Sequence, residues 1–286
     1  MNYKNQKQDR PVNVTLTYVN FSLDYLIYFN YVILGKGYFL GKNMSQKSDF
    51  DLNELDRLLN KAFEAASDLY KKRGFQRRIG FGTKPALVSV DMANAWTRPG
   101  NPFTCDQQKM DQEIIPSMQK LLACFRSNNF PVVHVTTAYD VTDRNSDFTD
   151  MGLWHHKIPV EAVNMKDKDL WAIDSRIAPV DDEYTLLKKR ASAFHGTELA
   201  GILRSNGVDT IVVTGVTACA CVRETICDGL AEGFRTIAAR EAIGDRVPGA
   251  VAWNLFDIDA KFADVETTAD CIAAVNTLGN KNLAAE

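Results

Sequence analysis

The stretch that decides the fold lies late in the chain, where residues 210–233 read TIVVTGVTACACVRETICDGLAEG. The apolar run from Thr210 to Thr214 is typical of a strand that is buried on both faces. Gly215 follows it, and the pattern from Cys221 to Ala231 predicts a helix that ends at Gly233. A buried strand that leads directly into a helix is the repeating unit of a parallel α/β sheet.

The same alternation of strand and helix continues on both sides of this stretch. Further strands are expected at Ala86–Val90, Pro131–Val135, Tyr184–Leu187 and Arg235–Ala239. Further helices are expected at Met110–Asn128, Thr197–Ser205 and Val265–Leu278. This order predicts an α/β fold of three αβα layers, with a central parallel sheet, right-handed crossovers and a Rossmann-like topology.

The first 43 residues differ from the rest. Residues 18–40 are crowded with aromatic and aliphatic side chains, but their purest apolar run, Tyr25 to Leu34, is too short for a bilayer span of about 20 residues. Met44 opens a polar stretch that resembles a natural start. We therefore expect residues 1–43 to be a dispensable extension, and an upstream misreading of the start site would explain it. Residues 44–286 are expected to form one domain. A helix over residues 52–73 leads into its core at about 75–278, as a packing or subunit-contact element.

Composition and charge exclude some classes of protein. The formal net charge is -3 and no long basic block is present, which argues against nucleic acid as a partner. The six cysteines are scattered through a long chain, and no secretory signal pattern precedes them. A reducing, cytoplasmic setting without membrane insertion is the expected location.

Three reactive side chains fall at the carboxyl ends of expected strands. They are Asp91, Lys188 and Cys221. Ligands of open parallel sheets bind beyond these strand ends, so a carboxylate, a cation and a thiol would meet there. Cys221 lies at a helix start, where the helix dipole and a nearby lysine would lower the pKa of its thiol.

Each of these residues also has an ordinary structural interpretation, which the pattern leaves open. Cys221 could be a buried structural cysteine, Asp91 could cap the next segment, and Lys188 could be solvated. Cys219 and Cys221 form a C-x-C pair, but no second Cys/His cluster accompanies it to complete a metal site. A redox pair is a further alternative, although a helix start would point Cys219 away from Cys221. None of the four histidines carries the pattern of a general base, which weakens the interpretation as a Cys-His protease.

Five motifs resemble those of the isochorismatase-like cysteine hydrolases, over roughly residues 70–277. The motifs are KPALVSVD at 84–91, KKRASAFHGT at 188–197, GVTACACVR at 215–223, AEGFR at 231–235 and EAIGDRVPG at 241–249. The resemblance implies a catalytic triad of Asp91, Lys188 and Cys221, in which Cys221 is the nucleophile. It also implies a cis peptide bond between Val216 and Thr217, so that the N–H groups of Thr217 and Cys221 face a developing oxyanion.

The same resemblance implies what the enzyme acts on. Arg246 matches an arginine that holds a substrate carboxylate in the branch that hydrolyses N-carbamoylsarcosine, although a structural surface arginine is the alternative. The expected reaction cleaves a carbamoyl or amide C–N bond of a small carboxylate, releasing sarcosine, carbon dioxide and ammonia from N-carbamoylsarcosine. Maleamate or another small amide is the alternative substrate. No cofactor and no metal are implied, and the family often assembles as dimers or tetramers.

Departures from related patterns narrow the function further. A metal-dependent nicotinamidase would need a D-x-H motif and a second histidine, which do not follow Asp91 or Val135. Some true isochorismatases lack the nucleophilic cysteine, so Cys221 argues against that reaction. Cys219 stands where the family often has a smaller residue, so its side chain is expected to add slight bulk to the pocket. A catalytically silent binding or scaffold protein remains an alternative of another class.

Overall fold

The computed structural model describes residues 52–141 and 152–283. Within these residues, six strands form a single sheet in which each pairing is parallel. The strands are β1 (Pro85–Val90), β2 (Val132–Thr137), β3 (Tyr184–Lys188), β4 (Thr210–Val216), β5 (Arg235–Gly244) and β6 (Asp264–Glu266). Their spatial order is β3-β2-β1-β4-β5-β6, so the order reverses between β1 and β4. That reversal is the point where doubly wound sheets place their ligands.

Helices connect the strands. The longer ones are α1 (Leu52–Lys72), α2 (Ile115–Ser127), α3 (Leu199–Ser205), α4 (Arg223–Ala231), α5 (Pro248–Lys261) and α6 (Thr268–Leu283). Short α-helical turns occur at Asn94–Thr97, Gln107–Lys109 and Lys168–Trp171, and 3-10 turns at Gly152–His156, Val160–Val163 and Ser175–Ile177. Two turns are π-helical, at Met110–Ile114 and Ala218–Val222.

Two separate apolar clusters cover the two faces of the sheet. One joins Leu87 of β1 to Phe125 of α2 and Val275 of α6. The other joins Val88, the next residue of β1, to Ile226 of α4. Because successive side chains of a strand point to opposite faces, the sheet lies between two helical layers. The predicted α/β fold with a central parallel sheet is therefore confirmed.

The close approach of β1 and β4 explains the glycine of the 215–223 motif. Gly215 has a φ of +106°, and a Cβ atom there would lie 2.0 Å from the carbonyl oxygen of Val90. Only glycine fits both the backbone conformation and the space. The carboxyl ends of β1 and β4 consequently lie side by side, with Val90 opposite Gly215.

Most predicted elements form, with shifts at their ends. The helix predicted over Val265–Leu278 is wrong in its first turn, because residues 264–266 form β6 and α6 begins at Thr268. The physical reason is tertiary: Val265 and its neighbours pair with β5, and the Asp264 carboxylate accepts hydrogen bonds from the N–H groups of Ile79 and Gly80. Helix α5 has no counterpart among the predictions.

The helix predicted over 52–73 forms as α1 and packs on α5. The ring of Phe63 stacks on Phe256 with centroids 4.7 Å apart, and its edge contacts Trp253. The extension predicted for residues 1–43 lies outside the described residues. Among the described helices, none combines the length and the apolar character that a membrane crossing requires.

Candidate active site

The three reactive side chains predicted from the strand ends meet in the folded chain. The Lys188 Nζ atom lies 2.8 Å from Asp91 Oδ2 and 3.4 Å from Cys221 Sγ. Asp91 follows β1, Lys188 ends β3 and Cys221 follows β4, so three strands deliver one group each. Since parallel strands end at the same edge of the sheet, the fold itself brings the three together.

Asp91 and Lys188 form a buried ion pair. Their side chains are 0% and 1% exposed, so neither charge is solvated by bulk water. Burial lowers the pKa of Lys188, but the charges of Asp91 and Cys221 raise it more, and the net shift is upward. Lys188 is therefore a stable ammonium group that compensates the charge of the carboxylate.

Asp91 adopts a backbone conformation that is uncommon for a residue with a side chain. Its φ is +51°, in the left-handed region, and its N–H donates to the carbonyl oxygen of Val135 at 2.7 Å. Aspartate tolerates this region better than most residues do, and such outliers concentrate at functional sites. The turn directs the carboxylate toward Lys188 instead of continuing the strand.

Thr137 joins the group, although the sequence did not single it out. Its Oγ1 atom accepts a hydrogen bond from Lys188 Nζ at 2.7 Å and donates to Asp91 Oδ1 at 2.7 Å. The prediction ended this strand at Val135, whereas β2 continues to Thr137 and pairs that residue with Lys188. A hydroxyl residue at the carboxyl end of a buried strand is the signal that could have revealed it.

The segment that carries Cys221 is a tight turn between β4 and α4. The peptide bond between Val216 and Thr217 is cis, and residues Ala218–Val222 form a π-helical turn. The Thr217 carbonyl oxygen accepts hydrogen bonds from the N–H groups of Ala220 and Val222. This turn sets Cys221 just ahead of α4, which begins at Arg223.

Burial dominates the acidity of the Cys221 thiol. It raises the pKa, Lys188 lowers it and Asp91 raises it again, with a net shift upward to about 12. Lys188 thus lowers this pKa as expected, but burial outweighs it, so the net shift is opposite to the one expected from the sequence. The Asp91 carboxylate shares the Lys188 ammonium with the thiol, so a group that can accept the thiol proton belongs to the same cluster.

A cavity of about 160 Å³ opens above these groups. Its walls are largely aromatic and aliphatic, and polar groups come from the triad side and from two arginines. The lining residues are Asp91, Trp96, Phe103, Thr137, Tyr139, Trp154, Ile158, Lys188, Arg190, Thr217, Cys219, Ala220, Cys221 and Arg246. A small enclosure with few polar groups is typical of a site for a small molecule.

Arg246 lies at the wall of this cavity. Its side chain is 36% exposed, and its guanidinium lies 5.7 Å from the centre of the Phe103 ring. An arginine that faces a cavity next to a reactive thiol can bind a carboxylate through two parallel hydrogen bonds. The position is therefore compatible with the predicted role in binding a substrate.

Asp245 connects the two sides of the site. Its buried carboxylate accepts a hydrogen bond from the Cys219 N–H at 3.0 Å and another from the Arg246 N–H at 2.7 Å. The turn that carries the thiol and the segment that carries the arginine are thus hydrogen-bonded to the same carboxylate. Cys219 itself is exposed and lines the cavity, so its side chain does shape the pocket.

The six cysteines are all free thiols, including Cys219 and Cys221. Within residues 52–141 and 152–283, no three side chains of the His, Cys, Asp or Glu type are grouped so that they could hold a metal ion. His134 is buried in β2, and its Nε2 atom lies 3.1 Å from Glu183.

Comparisons with known proteins find clear relatives of this chain. Residues 85–270 match the family model described as the isochorismatase domain. The chain is 49% identical over 225 residues to an N-carbamoylsarcosine amidase of Arthrobacter sp., covering 78% of this chain and 83% of that protein. It is 37% identical over 205 residues to a maleamate amidohydrolase of Pseudomonas putida, covering 71% and 92%. The crystal structure of an N-carbamoylsarcosine amidase from Thermoplasma acidophilum aligns with a TM-score of 0.51 and 29% identity, covering 65% of this chain and 96% of that one.

Proposed function

This chain belongs to the isochorismatase family of hydrolases, and from that premise we propose that it is a cysteine-dependent amidohydrolase of N-carbamoylsarcosine. The products would be sarcosine, carbon dioxide and ammonia. One observation carries the proposal: an ammonium lies 3.4 Å from a thiol and 2.8 Å from a carboxylate, and all three line a small cavity that Arg246 also lines. The proposal is further supported by the likeness to the amidase of Arthrobacter sp..

The substrate has two ends that the cavity can distinguish. Its carboxylate would pair with the Arg246 guanidinium, and its N-methyl group would contact aromatic walls such as Phe103 and Trp96. Its carbamoyl carbon would then lie over Cys221. An amide without a carboxylate would lose the arginine contact, so a small carboxylate with a terminal carbamoyl or amide group is the substrate class.

The first half of the reaction forms a covalent intermediate. Cys221 attacks the carbamoyl carbon while its proton passes to Asp91, which shares the Lys188 ammonium with the thiol. Backbone N–H groups of Thr217 and Cys221 would stabilise the oxyanion. Asp91 then returns the proton to the departing amine, and ammonia leaves. The enzyme retains an S-linked thiocarbamate that still carries the sarcosine portion.

The second half regenerates the thiol. Asp91 accepts a proton from a water molecule, which attacks the thiocarbamate carbon, and the Cys221 sulfur leaves and is reprotonated. The released N-carboxysarcosine loses carbon dioxide to give sarcosine. Throughout, Lys188 remains an ammonium that offsets the charge on Asp91 and on the sulfur.

Ammonia release tests this function. The purified protein is incubated with N-carbamoylsarcosine or with maleamate, beside Cys221→Ala and a matched control, Cys227→Ala, which removes a thiol from α4 outside the cavity. We expect release from N-carbamoylsarcosine by the wild-type protein and the control, and none by Cys221→Ala. Release from maleamate alone would keep the mechanism and replace the substrate. Equal release by Cys221→Ala would overturn the proposal.

We also propose that the enzyme works in the cytoplasm as a homo-oligomer, a dimer or a tetramer. Six free thiols suit a reducing compartment. Large apolar side chains lie exposed on the helical surface of α1 and α5, with Leu58 and Leu69 each 50% and Trp253 57% exposed. Light scattering coupled to size-exclusion chromatography tests the assembly, and a monomer at micromolar concentration would contradict it.

A further inference from the structure

We propose that Thr137 is a positioning residue of the active site, whose hydroxyl holds Asp91 and Lys188 in the arrangement that activates Cys221. This inference rests on the proposed function, because it names a further residue of the same site. Thr137 ends β2, is 3% exposed, and contacts both members of the ion pair.

The lysine has more acceptors around it than it has hydrogens. An ammonium group carries three N–H donors. Four acceptors surround Lys188 Nζ: Asp91 Oδ2 at 2.8 Å, Thr137 Oγ1 at 2.7 Å, the Arg190 carbonyl oxygen at 3.1 Å and Cys221 Sγ at 3.4 Å. The contacts to Thr137, the Arg190 carbonyl oxygen and the Cys221 sulfur have hydrogen-bond geometry, one for each N–H, so together they fix the orientation of the ammonium. Asp91 Oδ2 is held by charge, as an ion pair.

The direction of the Thr137 hydrogen bonds follows from chemistry. Lysine can only donate, so the hydroxyl oxygen accepts from Lys188 and its single hydrogen must point to Asp91 Oδ1 at 2.7 Å. Asp91 is thereby held at both oxygens, with Thr137 on Oδ1 and Lys188 on Oδ2. The carboxylate cannot rotate without breaking the hydrogen bond from Thr137 and lengthening the ion pair with Lys188.

Loss of this hydroxyl would act on proton transfer more than on substrate binding. Without it, Asp91 and Lys188, whose side chains are 0% and 1% exposed, each lose a partner, and both gain freedom to turn. Proton transfer from Cys221 to Asp91 depends on their alignment. Substrate binding depends on Arg246 and the aromatic walls; Thr137 also lines the cavity, but a valine in its place keeps the shape of the wall.

Three variants separate the hydroxyl from the packing. Thr137→Val keeps the shape and removes the hydroxyl, and Thr137→Ser keeps the hydroxyl and removes the methyl group. Thr136→Val is the matched control. It removes the neighbouring buried hydroxyl, which donates to the carbonyl oxygen of Trp171 at 2.8 Å. The two valine variants should therefore lose similar stability, and only one of them touches the triad.

Two measurements are made on each variant. The first is the rate at which iodoacetamide alkylates Cys221, followed by peptide mass spectrometry, which needs no substrate. We expect this rate to fall roughly tenfold in Thr137→Val and to stay within about threefold of wild type in Thr137→Ser and Thr136→Val. The second is turnover of N-carbamoylsarcosine, where kcat is expected to fall roughly 30-fold or more in Thr137→Val, with KM within about threefold.

The outcomes distinguish this inference from the proposed substrate. Alkylation that follows the expected order, in a protein that does not turn over N-carbamoylsarcosine, would support the role of Thr137 and overturn the substrate. An alkylation rate in Thr137→Val equal to that of the wild-type protein would overturn the inference, whatever the turnover shows. An equal fall of the alkylation rate in Thr137→Val and Thr136→Val would also overturn it, because a general loss of packing would then account for both.

Discussion

Replacing Lys188 by methionine isolates the energy of the buried ion pair. The side chain keeps its length and its apolar stem but loses its charge, and Asp91, which is 0% exposed, is left as a buried carboxylate without its cation. Breaking a buried pair from one side costs about 3–5 kcal/mol of the free energy of unfolding. Thr137 and the Arg190 carbonyl oxygen lose a donor as well, so we expect Lys188→Met to fall in the upper part of that range.

The second half of this prediction removes the charge that was left behind. Asp91→Asn is nearly isosteric, and asparagine tolerates the left-handed backbone of position 91. In the double variant no uncompensated charge remains. We therefore expect the double variant to lose about 2 kcal/mol less of the free energy of unfolding than the sum of the losses in the two single variants.

Urea denaturation at neutral pH measures the four free energies of unfolding. Lys261→Met is a control for removal of a lysine from a more exposed pair with Asp257, and it should cost less than about 1 kcal/mol. A coupling between positions 91 and 188 below about 0.5 kcal/mol would refute the buried, mutually dependent pair.

Three other expectations concern binding, reactivity and acid stability. Arg246→Ala should raise KM for N-carbamoylsarcosine at least about tenfold and change kcat less, because the substrate carboxylate loses its pair with the guanidinium. An unchanged KM in steady-state assays would contradict the carboxylate site. Alkylation of Cys221 in the free protein should keep accelerating above about pH 9, because burial raises the pKa of its thiol to about 12, and a plateau near neutral pH would contradict this. Burial lowers the pKa of His134 despite Glu183, so the unfolded chain binds this proton more readily than the folded protein does. The contribution of the neutral ring to stability is fully present above about pH 6.5, the unfolded value, and is lost as pH falls from there toward the lowered pKa of the folded state. His134→Gln should flatten the dependence of the urea midpoint on pH in that window, and an unchanged slope would contradict it.

The sequence could predict the sheet and the three reactive groups for one physical reason. Buried parallel strands are continuous apolar runs, and a polar residue that ends such a run must lie at the carboxyl edge. Asp91 and Lys188 carry that signal, and Cys221 lies one short turn beyond the apolar run of β4, where the next helix is about to begin. The topology then brings them together, whatever the connecting segments do.

Other parts of the site depend on tertiary contacts that leave no periodic pattern. Thr137 extends its strand past the apolar run, and its role exists only because β3 brings Lys188 alongside. Trp154 and Phe103 reach the cavity from connections between strands and helices. The raised pKa of Cys221 likewise follows from how deeply the fold buries it, whereas the sequence shows only a cysteine before a helix.

The role of Cys221 as a nucleophile can be tested by trapping the intermediate. Wild-type protein is mixed with N-carbamoylsarcosine, quenched in acid within the first turnover, digested and analysed by mass spectrometry. We predict an adduct on the peptide that contains Cys221, with the mass of the substrate less ammonia, and no adduct in Cys221→Ala. Ammonia release without any adduct, together with an active Cys221→Ala variant, would contradict nucleophilic catalysis by this cysteine.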